Sequence, residues 1–326
     1  MRACAKVFVV LTIVLLSAVA DAQQGKVPRI GYVSTNYASA PGPLVESFRQ
    51  GLREFGYIEG KNITVEFRYA EGNDERMRAL VKELVQLNVD ALVIPTLDAV
   101  RTAKQATTSI PIVMVVNADP VATGLIGSLA RPGGNLTGVS RLQLQLSGKR
   151  LELLKETVPR AARVAVLRDA ESQAAQIGLK EYESAAPGLK VQVQPLDVHG
   201  PAPELEQAFR AAASKHTEAL VTITTTLLFR RQKEIVELAK KQRLPSMFEG
   251  SSWVDLGGLI SYSTNDAEVF RRAAYYVDKI IKGAKPADLP VEQPTKFEMV
   301  INLKTAKQIG VTIPPNVLAR ADRVIK

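Results

Sequence analysis

Small polar residues stand at the ends of nearly all the apolar, β-branched runs in this sequence. Hydroxyl groups and helix N-terminal amides bind a carboxylate well, because aligned backbone N–H groups favour an anion. A side-chain carboxylate can in turn bind an ammonium group or sugar hydroxyls, so the pattern favours a site for a zwitterion or polar acid. The candidate ligand-binding residues are Ser34, Thr96, Asn117, Asp119 and Ser140 in the first half of the chain, and Arg168, Thr225, Glu249 and Tyr262 in the second.

Each of these residues also has a purely structural interpretation. Strand ends are commonly polar, and Ser, Thr, Asn and Asp are the usual N-caps of helices. The functional interpretation depends on two facing sets of such groups rather than on any single side chain.

The sequence lacks the common catalytic signatures. We find no G-x-G-x-x-G after the first strand, no G-x-x-x-x-G-K-[ST], no H-E-x-x-H and no G-x-S-x-G. Its two histidines, His199 and His216, lie in loop-like sequence, and its one cysteine is Cys4. Two histidines are too few for a three-histidine metal site. We therefore predict that the protein is not an enzyme and that it holds neither a metal nor a cofactor.

The segments that must position these residues alternate between strand and helix patterns. A buried strand at 29–34 precedes a helix whose apolar residues recur at spacings of three and four. That helical face comprises Leu44, Val45, Phe48, Leu52 and Phe55. A second helix is predicted with Asp74 as its N-cap. Its inner face comprises Leu80, Leu84 and Leu87.

The same βαβ alternation begins again after residue 140. It predicts two doubly wound, parallel-sheet α/β lobes with a cleft between them. Ligands of such sheets sit beyond the carboxyl ends of the strands. An amphipathic helix closed by Gly283 then leads into a proline-rich segment, as expected of a chain that recrosses between lobes. Gly133 and Gly134 are predicted to make a turn with positive φ, which glycine adopts at little cost.

The N-terminal residues have the three-part pattern of a secretory signal peptide. Arg2 and Lys6 form a basic start, Val7 to Val19 is almost wholly apolar, and small residues surround Ala22. About 13 apolar residues fall short of the ~20 that span a bilayer. We therefore expect a cleaved signal peptide at 1–22 and a soluble protein in the bacterial periplasm.

The formal net charge of +9 comes from 42 basic and 33 acidic residues. The basic residues are scattered along helical surfaces without interleaved aromatic residues, so we expect no nucleic-acid partner.

Several stretches resemble one family, the substrate-binding proteins of ABC-type uptake systems. The most specific are "SLARPGGNLTG" at 128–138 and "PTKFEMVINLKTA" at 294–306, and the likeness covers nearly the whole chain after the signal peptide. The resemblance implies a fold like that of type I periplasmic binding proteins, with a three-crossover hinge. It implies an N-terminal lobe of 29–139 plus 265–290, and a C-terminal lobe of 140–264 plus 291–326.

The resemblance also implies a function. The protein would capture a small polar ligand, with an amino acid or related small acid favoured, and present it to an ABC permease in the inner membrane. It would act as a monomer, without chemistry, by closing its lobes over the ligand. Two alternatives stay open: a ligand-sensing receptor for a membrane signalling partner, and an exported α/β enzyme.

Overall fold

The computed structural model describes residues 26–34, 42–200 and 202–326, and within them the chain forms a five-stranded and a seven-stranded sheet. The first sheet has the order β2-β1-β3-β4-β5, and all its strands are parallel. The strands are β1 (Arg29–Ser34), β2 (Thr64–Tyr69), β3 (Ala91–Ile94), β4 (Ile112–Val116) and β5 (Leu136–Ser140). The helices between them are α1 (Gly42–Glu54), α2 (Asp74–Gln86) and α3 (Leu97–Ala106).

The second sheet has the order β12-β11-β10-β9-β8-β6-β7, and β11 runs antiparallel to β10. Its strands are β6 (Arg163–Asp169), β7 (Gln192–Val198), β8 (Ala219–Thr222), β9 (Ser246–Phe248), β10 (Ile260–Thr264), β11 (Phe297–Asn302) and β12 (Arg323–Ile325). The remaining helices are α4 (Ser147–Thr157), α5 (Gln173–Ala185), α6 (Leu205–Ser214), α7 (Thr226–Arg230), α8 (Gln232–Lys241), α9 (Ser251–Asp255), α10 (Asp266–Ile281), α11 (Leu303–Ile309) and α12 (Pro315–Leu318).

Three connections join the two sheets, and they confirm the predicted fold class. The chain leaves the first sheet after β5, returns after β10 through α10, and crosses again before β11. Helix α10 packs against α1, so it belongs with the first sheet although it follows the second in sequence. We call the first sheet with α1–α3 and α10 the first lobe, and the remaining elements the second lobe. The residue boundaries of the lobes stay a prediction.

The connections lie side by side. The backbone N–H of Ser140 donates to the carbonyl of Glu292 at 2.9 Å, and the N–H of Glu292 donates to the carbonyl of Gly138 at 3.0 Å. Arg141, in the first connection, forms an ion pair of 2.8 Å with Asp266, which begins α10 after the second connection. The three connections therefore form one hinge.

Alternating residues of the first sheet pack on opposite faces, as in a parallel sheet covered by helices on both sides. Ile30 and Tyr32 of β1 are buried against α1 and α10, whereas Val33 faces the helices α2 and α3. The cluster that contains Val33 continues into the second lobe and includes Val166 of β6. Burial on both faces explains why the central strands β3 and β4 are continuously apolar.

Several sequence-based predictions of local structure were wrong. The N-cap of α2 is Asn73 rather than Asp74, because the Asn73 side chain accepts from the N–H of Arg76 at 2.8 Å. Leu87 and Phe55 are each 39% exposed, because α2 ends at Gln86 and α1 ends at Glu54. The inner face of α2 includes Met77 and Val81 together with Leu84.

Other predictions were confirmed. Gly133 and Gly134 adopt φ values of +70° and +61°, as the predicted turn requires. Within the described part of the chain, no helix is long and apolar enough to cross a membrane. The predicted signal peptide at 1–22 lies outside the described residues.

Candidate ligand-binding site

The carboxyl ends of the two sheets face each other. The Arg101 guanidinium in α3 donates to the Gln173 side chain at the start of α5, and Arg230 at the end of α7 donates to the carbonyl of Gly72 at 3.4 Å. All four residues follow the carboxyl end of a strand in their own lobe. Since these contacts join opposite lobes, the cleft lies between the two sets of strand ends and the lobes are closed over it.

The predicted residues of the first lobe lie at this edge of the first sheet. Ser34 and Ser140 are the last residues of β1 and β5 and are buried. The Ser140 hydroxyl donates to the carbonyl of Ala118 at 3.1 Å. The Thr96 hydroxyl caps α3 by accepting from the N–H of Ala99 at 3.4 Å.

Asn117 and Asp119 follow β4 directly. The Asp119 carboxylate accepts from the N–H groups of Val121 at 2.8 Å and Ala122 at 3.3 Å, and so stabilises the turn after the strand. The Oδ1 atom of Asn117 is buried and has no hydrogen-bond partner among the described residues. Of the two side chains, Asn117 therefore has more capacity left for a ligand.

The predicted residues of the second lobe have more internal partners. Arg168 forms a bidentate ion pair with Asp197 of the adjacent strand β7, with distances of 2.6 and 3.2 Å. The Thr225 hydroxyl caps α7. The Tyr262 ring lies 5.8 Å from the ring of Phe297, centroid to centroid, and is partly exposed.

Glu249 belongs to a buried network centred on Arg150, whose side chain is 0% exposed. Arg150 donates to Glu249 at 3.2 Å, to the carbonyls of Gln143 at 2.6 Å and Tyr262 at 2.7 Å, and to the Gln143 side chain. The other Glu249 oxygen accepts from the N–H of Thr224 at 2.6 Å. Burial raises the pKa of the Glu249 carboxyl, and Arg150 opposes that shift.

This network reaches the hinge. The Gln143 amide donates to the Thr264 hydroxyl at 3.2 Å, and Thr264 lies two residues before Asp266. Burial raises the pKa of the Asp266 carboxyl, and the Arg141 guanidinium opposes the shift. Polar contacts thus run from Glu249 through Arg150 and Gln143 to the ion pair between Arg141 and Asp266.

Sequence reasoning did not identify Arg141, Gln143 or Arg150. Arg141 had a usable signal, because it directly follows β5 at the carboxyl edge of the sheet. Arg150 had none, since it lies within a charged helical stretch and its carboxylate partner is 99 residues away.

In chemical terms the cleft offers hydroxyls, amides and ion-paired charges. In the portion of the chain that the structure describes, no three His, Cys, Asp or Glu side chains form a group that could hold a metal ion. Groups of the kind present bind polar ligands by hydrogen bonds and charge.

Two α/β lobes, joined by three connections and facing each other with their strand ends, define the class of type I periplasmic binding protein-like folds. The family model for ABC transporter substrate binding proteins matches residues 40–325. The chain belongs to this family, as the sequence resemblance predicted.

Three relatives illustrate the similarity. A tyrosine-binding protein of Clostridioides difficile is 25% identical over 266 residues, which cover 82% of this chain and 76% of that protein. A conserved domain protein of Vibrio cholerae has a TM-score of 0.84 at 26% identity, over 92% of this chain and 100% of that one. An ABC domain from Streptococcus pneumoniae, solved in complex with L-Trp, has a TM-score of 0.80 at 26% identity, over 91% and 100% of the two chains.

Proposed function

We propose that this protein is the periplasmic solute-binding component of an ABC-type uptake system. It captures a small polar ligand between its lobes, closes by bending at the hinge, and presents the closed form to a membrane permease. The observation that carries this proposal is the closed cleft, where the strand ends of both lobes face each other beside a three-connection hinge.

An amino acid is the favoured ligand. The cleft edge provides paired charges, amides and hydroxyls, which suit a molecule with a carboxylate and an ammonium group. Two relatives in the family support this class, since one is named a tyrosine-binding protein and another was solved with L-Trp.

The protein performs no chemistry in this proposal. A solute receptor works by a shift of population, because a ligand that contacts both lobes stabilises the closed form over the open one. It acts as a monomer, and each lobe presents one surface to the permease.

Thermal unfolding of the purified protein against amino acids, organic acids, sugars and purines tests this function. A ligand present at 100 times its Kd adds about 2.7 kcal/mol to the folded state. For a chain of this size the expected result is a rise in Tm of several degrees.

The pattern of responses decides the outcome. A rise with one or a few L-amino acids and none with their D-enantiomers supports the proposal. A flat panel calls for mass spectrometry of the supernatant after denaturation, which detects a ligand carried through purification. A flat panel with no released molecule contradicts the proposal.

A further inference from the structure

Arg141 directly follows β5, where the first connection leaves the carboxyl edge of the first sheet. Its backbone N–H donates to the carbonyl of Val116 at 2.7 Å, which fixes it beside the end of β4. Burial raises the pKa of the Tyr32 hydroxyl in β1 and of the Glu249 carboxyl after β9; Arg150 is the main charge that opposes the Glu249 shift, and Arg141 opposes both shifts. Arg141 therefore acts on both lobes and on the second connection, through Asp266.

The Arg141 guanidinium is held in place but is not saturated. Its side chain is 13% exposed, and one Nη atom pairs with Asp266 at 2.8 Å. Its buried Nε atom has no hydrogen-bond partner among the residues described. A guanidinium carries five N–H donors in a planar fork, and a buried donor without an acceptor costs stability.

Asn117 follows β4, the strand paired with β5, and its side chain has the opposite hydrogen-bonding capacity. Its carbonyl accepts from the N–H of Leu144 at 3.4 Å, which places it against the same connection as Arg141. Its buried Oδ1 atom is an acceptor without a partner in the described structure. Val116 and Ser140 are register partners in β4 and β5, so Asn117 and Arg141, which follow them, stand at neighbouring strand ends.

The charges nearby are balanced. Arg141 pairs with Asp266, and Arg150 pairs with Glu249. A zwitterion adds no net charge to such a site, whereas an anion or a cation would leave one buried charge without a counter-charge.

We propose that Arg141 and Asn117 form the subsite that recognises the main-chain groups of an amino acid. The Arg141 guanidinium takes the ligand's carboxylate while Asp266 holds it in position, and the Asn117 Oδ1 atom accepts from the ligand's ammonium group. The inference rests on the proposed function and assigns specific groups of the ligand to specific residues. The planar guanidinium of arginine can donate two parallel hydrogen bonds to a carboxylate, and so suits it better than the compact ammonium of a lysine would.

Calorimetry with matched ligands tests the carboxylate assignment. The amino acid with the largest thermal shift is compared with its carboxamide, at a pH where both amines are protonated. The wild type is expected to prefer the acid by about 10- to 100-fold, as for one charge-assisted pair. In Arg141→Gln this preference should fall to less than about threefold, mainly through weaker binding of the acid.

Arg210→Gln is the matched control, because Arg210 is 69% exposed and pairs with Glu206 on the surface of α6. It should retain the wild-type preference for the acid. The inference is overturned if Arg141→Gln, with its fold verified by circular dichroism, also retains that preference. The proposed function would then stand, since the wild type still binds an amino acid.

Asn117→Ala tests the ammonium assignment and leaves the ion pair between Arg141 and Asp266 intact. It also tests the inference if Arg141→Gln does not fold. The wild type should bind the amino acid more tightly than its deamino analogue, and Asn117→Ala should reduce that ratio by about fivefold or more. An unchanged ratio overturns the inference. A wild type that binds no amino acid overturns the assignment of an amino-acid ligand together with this inference, and the proposed solute-binding function then depends on the response to the rest of the panel.

Discussion

At the scale of single residues, the ion pair between Arg150 and Glu249 lies inside the second lobe. Both side chains are buried, at 0% and 2% exposure. Removing one partner of a buried pair leaves an uncompensated charge and costs about 3–5 kcal/mol, whereas removing both can be nearly neutral. Glu249 was predicted from its position to bind the ligand. In the structure it neutralises the buried Arg150 guanidinium, and the contribution of this pair to stability can be measured.

We predict that Arg150→Met and Glu249→Gln each lower the free energy of unfolding by about 3–5 kcal/mol. The double variant should lose clearly less than the sum, because neither charge then remains buried alone. Urea unfolding of the four proteins measures this coupling. Additive losses would show that the two charges do not stabilise each other.

Sequence reasoning could locate residues at strand ends from their position. It could not determine which way a side chain points when that depends on contacts with residues far away in the sequence. The ends of β4 and β9 could be located from sequence, and so could Asn117 and Glu249. The direction of each side chain depends on contacts such as that of Arg150 with Tyr262, 112 residues away. No local pattern encodes such a contact, so the prediction that these side chains face a ligand remains a proposal.

At the scale of elements, the alternation of strands and helices was predictable because central parallel strands such as β3 and β4 are apolar along their whole length. The family resemblance assigned residues 265–290 to the N-terminal lobe, but no local pattern showed that α10 docks on α1, because that docking depends on a close approach at Gly51. A β-carbon at Gly51 would lie 2.7 Å from the Arg271 carbonyl oxygen and 2.8 Å from the Ala274 β-carbon. The helix that returns from the second lobe therefore needs a glycine at this position.

We predict that Gly51→Ala lowers the free energy of unfolding by about 1–3 kcal/mol, the usual cost of overpacking. Alanine favours a helix over glycine by about 1 kcal/mol, so propensity alone would give the opposite sign. Gln50→Ala, on the exposed face of the same helix, is the control and should change stability by less than about 0.5 kcal/mol. A stabilised Gly51→Ala would mean that the two helices can separate without loss.

At the scale of the whole molecule, the two lobes also contact each other far from the hinge. Gly72 adopts a φ of +69°, and its carbonyl accepts from Arg230 of the opposite lobe at 3.4 Å. A β-carbon at Gly72 would lie 1.9 Å from the Arg230 Cδ atom. That clash belongs to the closed form, because the two residues lie in different lobes and separate when the cleft opens.

Gly72→Ala should therefore weaken ligand binding by about tenfold, since Arg230 must leave its rotamer and lose its bond for the lobes to close. Gly60→Ala is the matched control, because Gly60 has a φ of +80° and open space around its α-carbon. Both variants carry the same backbone strain, so their ligand-free Tm values should agree while their Kd values differ. Adding Arg230→Ala to Gly72→Ala should restore part of the lost affinity. Equal Kd values for the two glycine variants would mean that the contact between Gly72 and Arg230 is not needed for closure. The closed form would then be stabilised only by the ligand and the hinge.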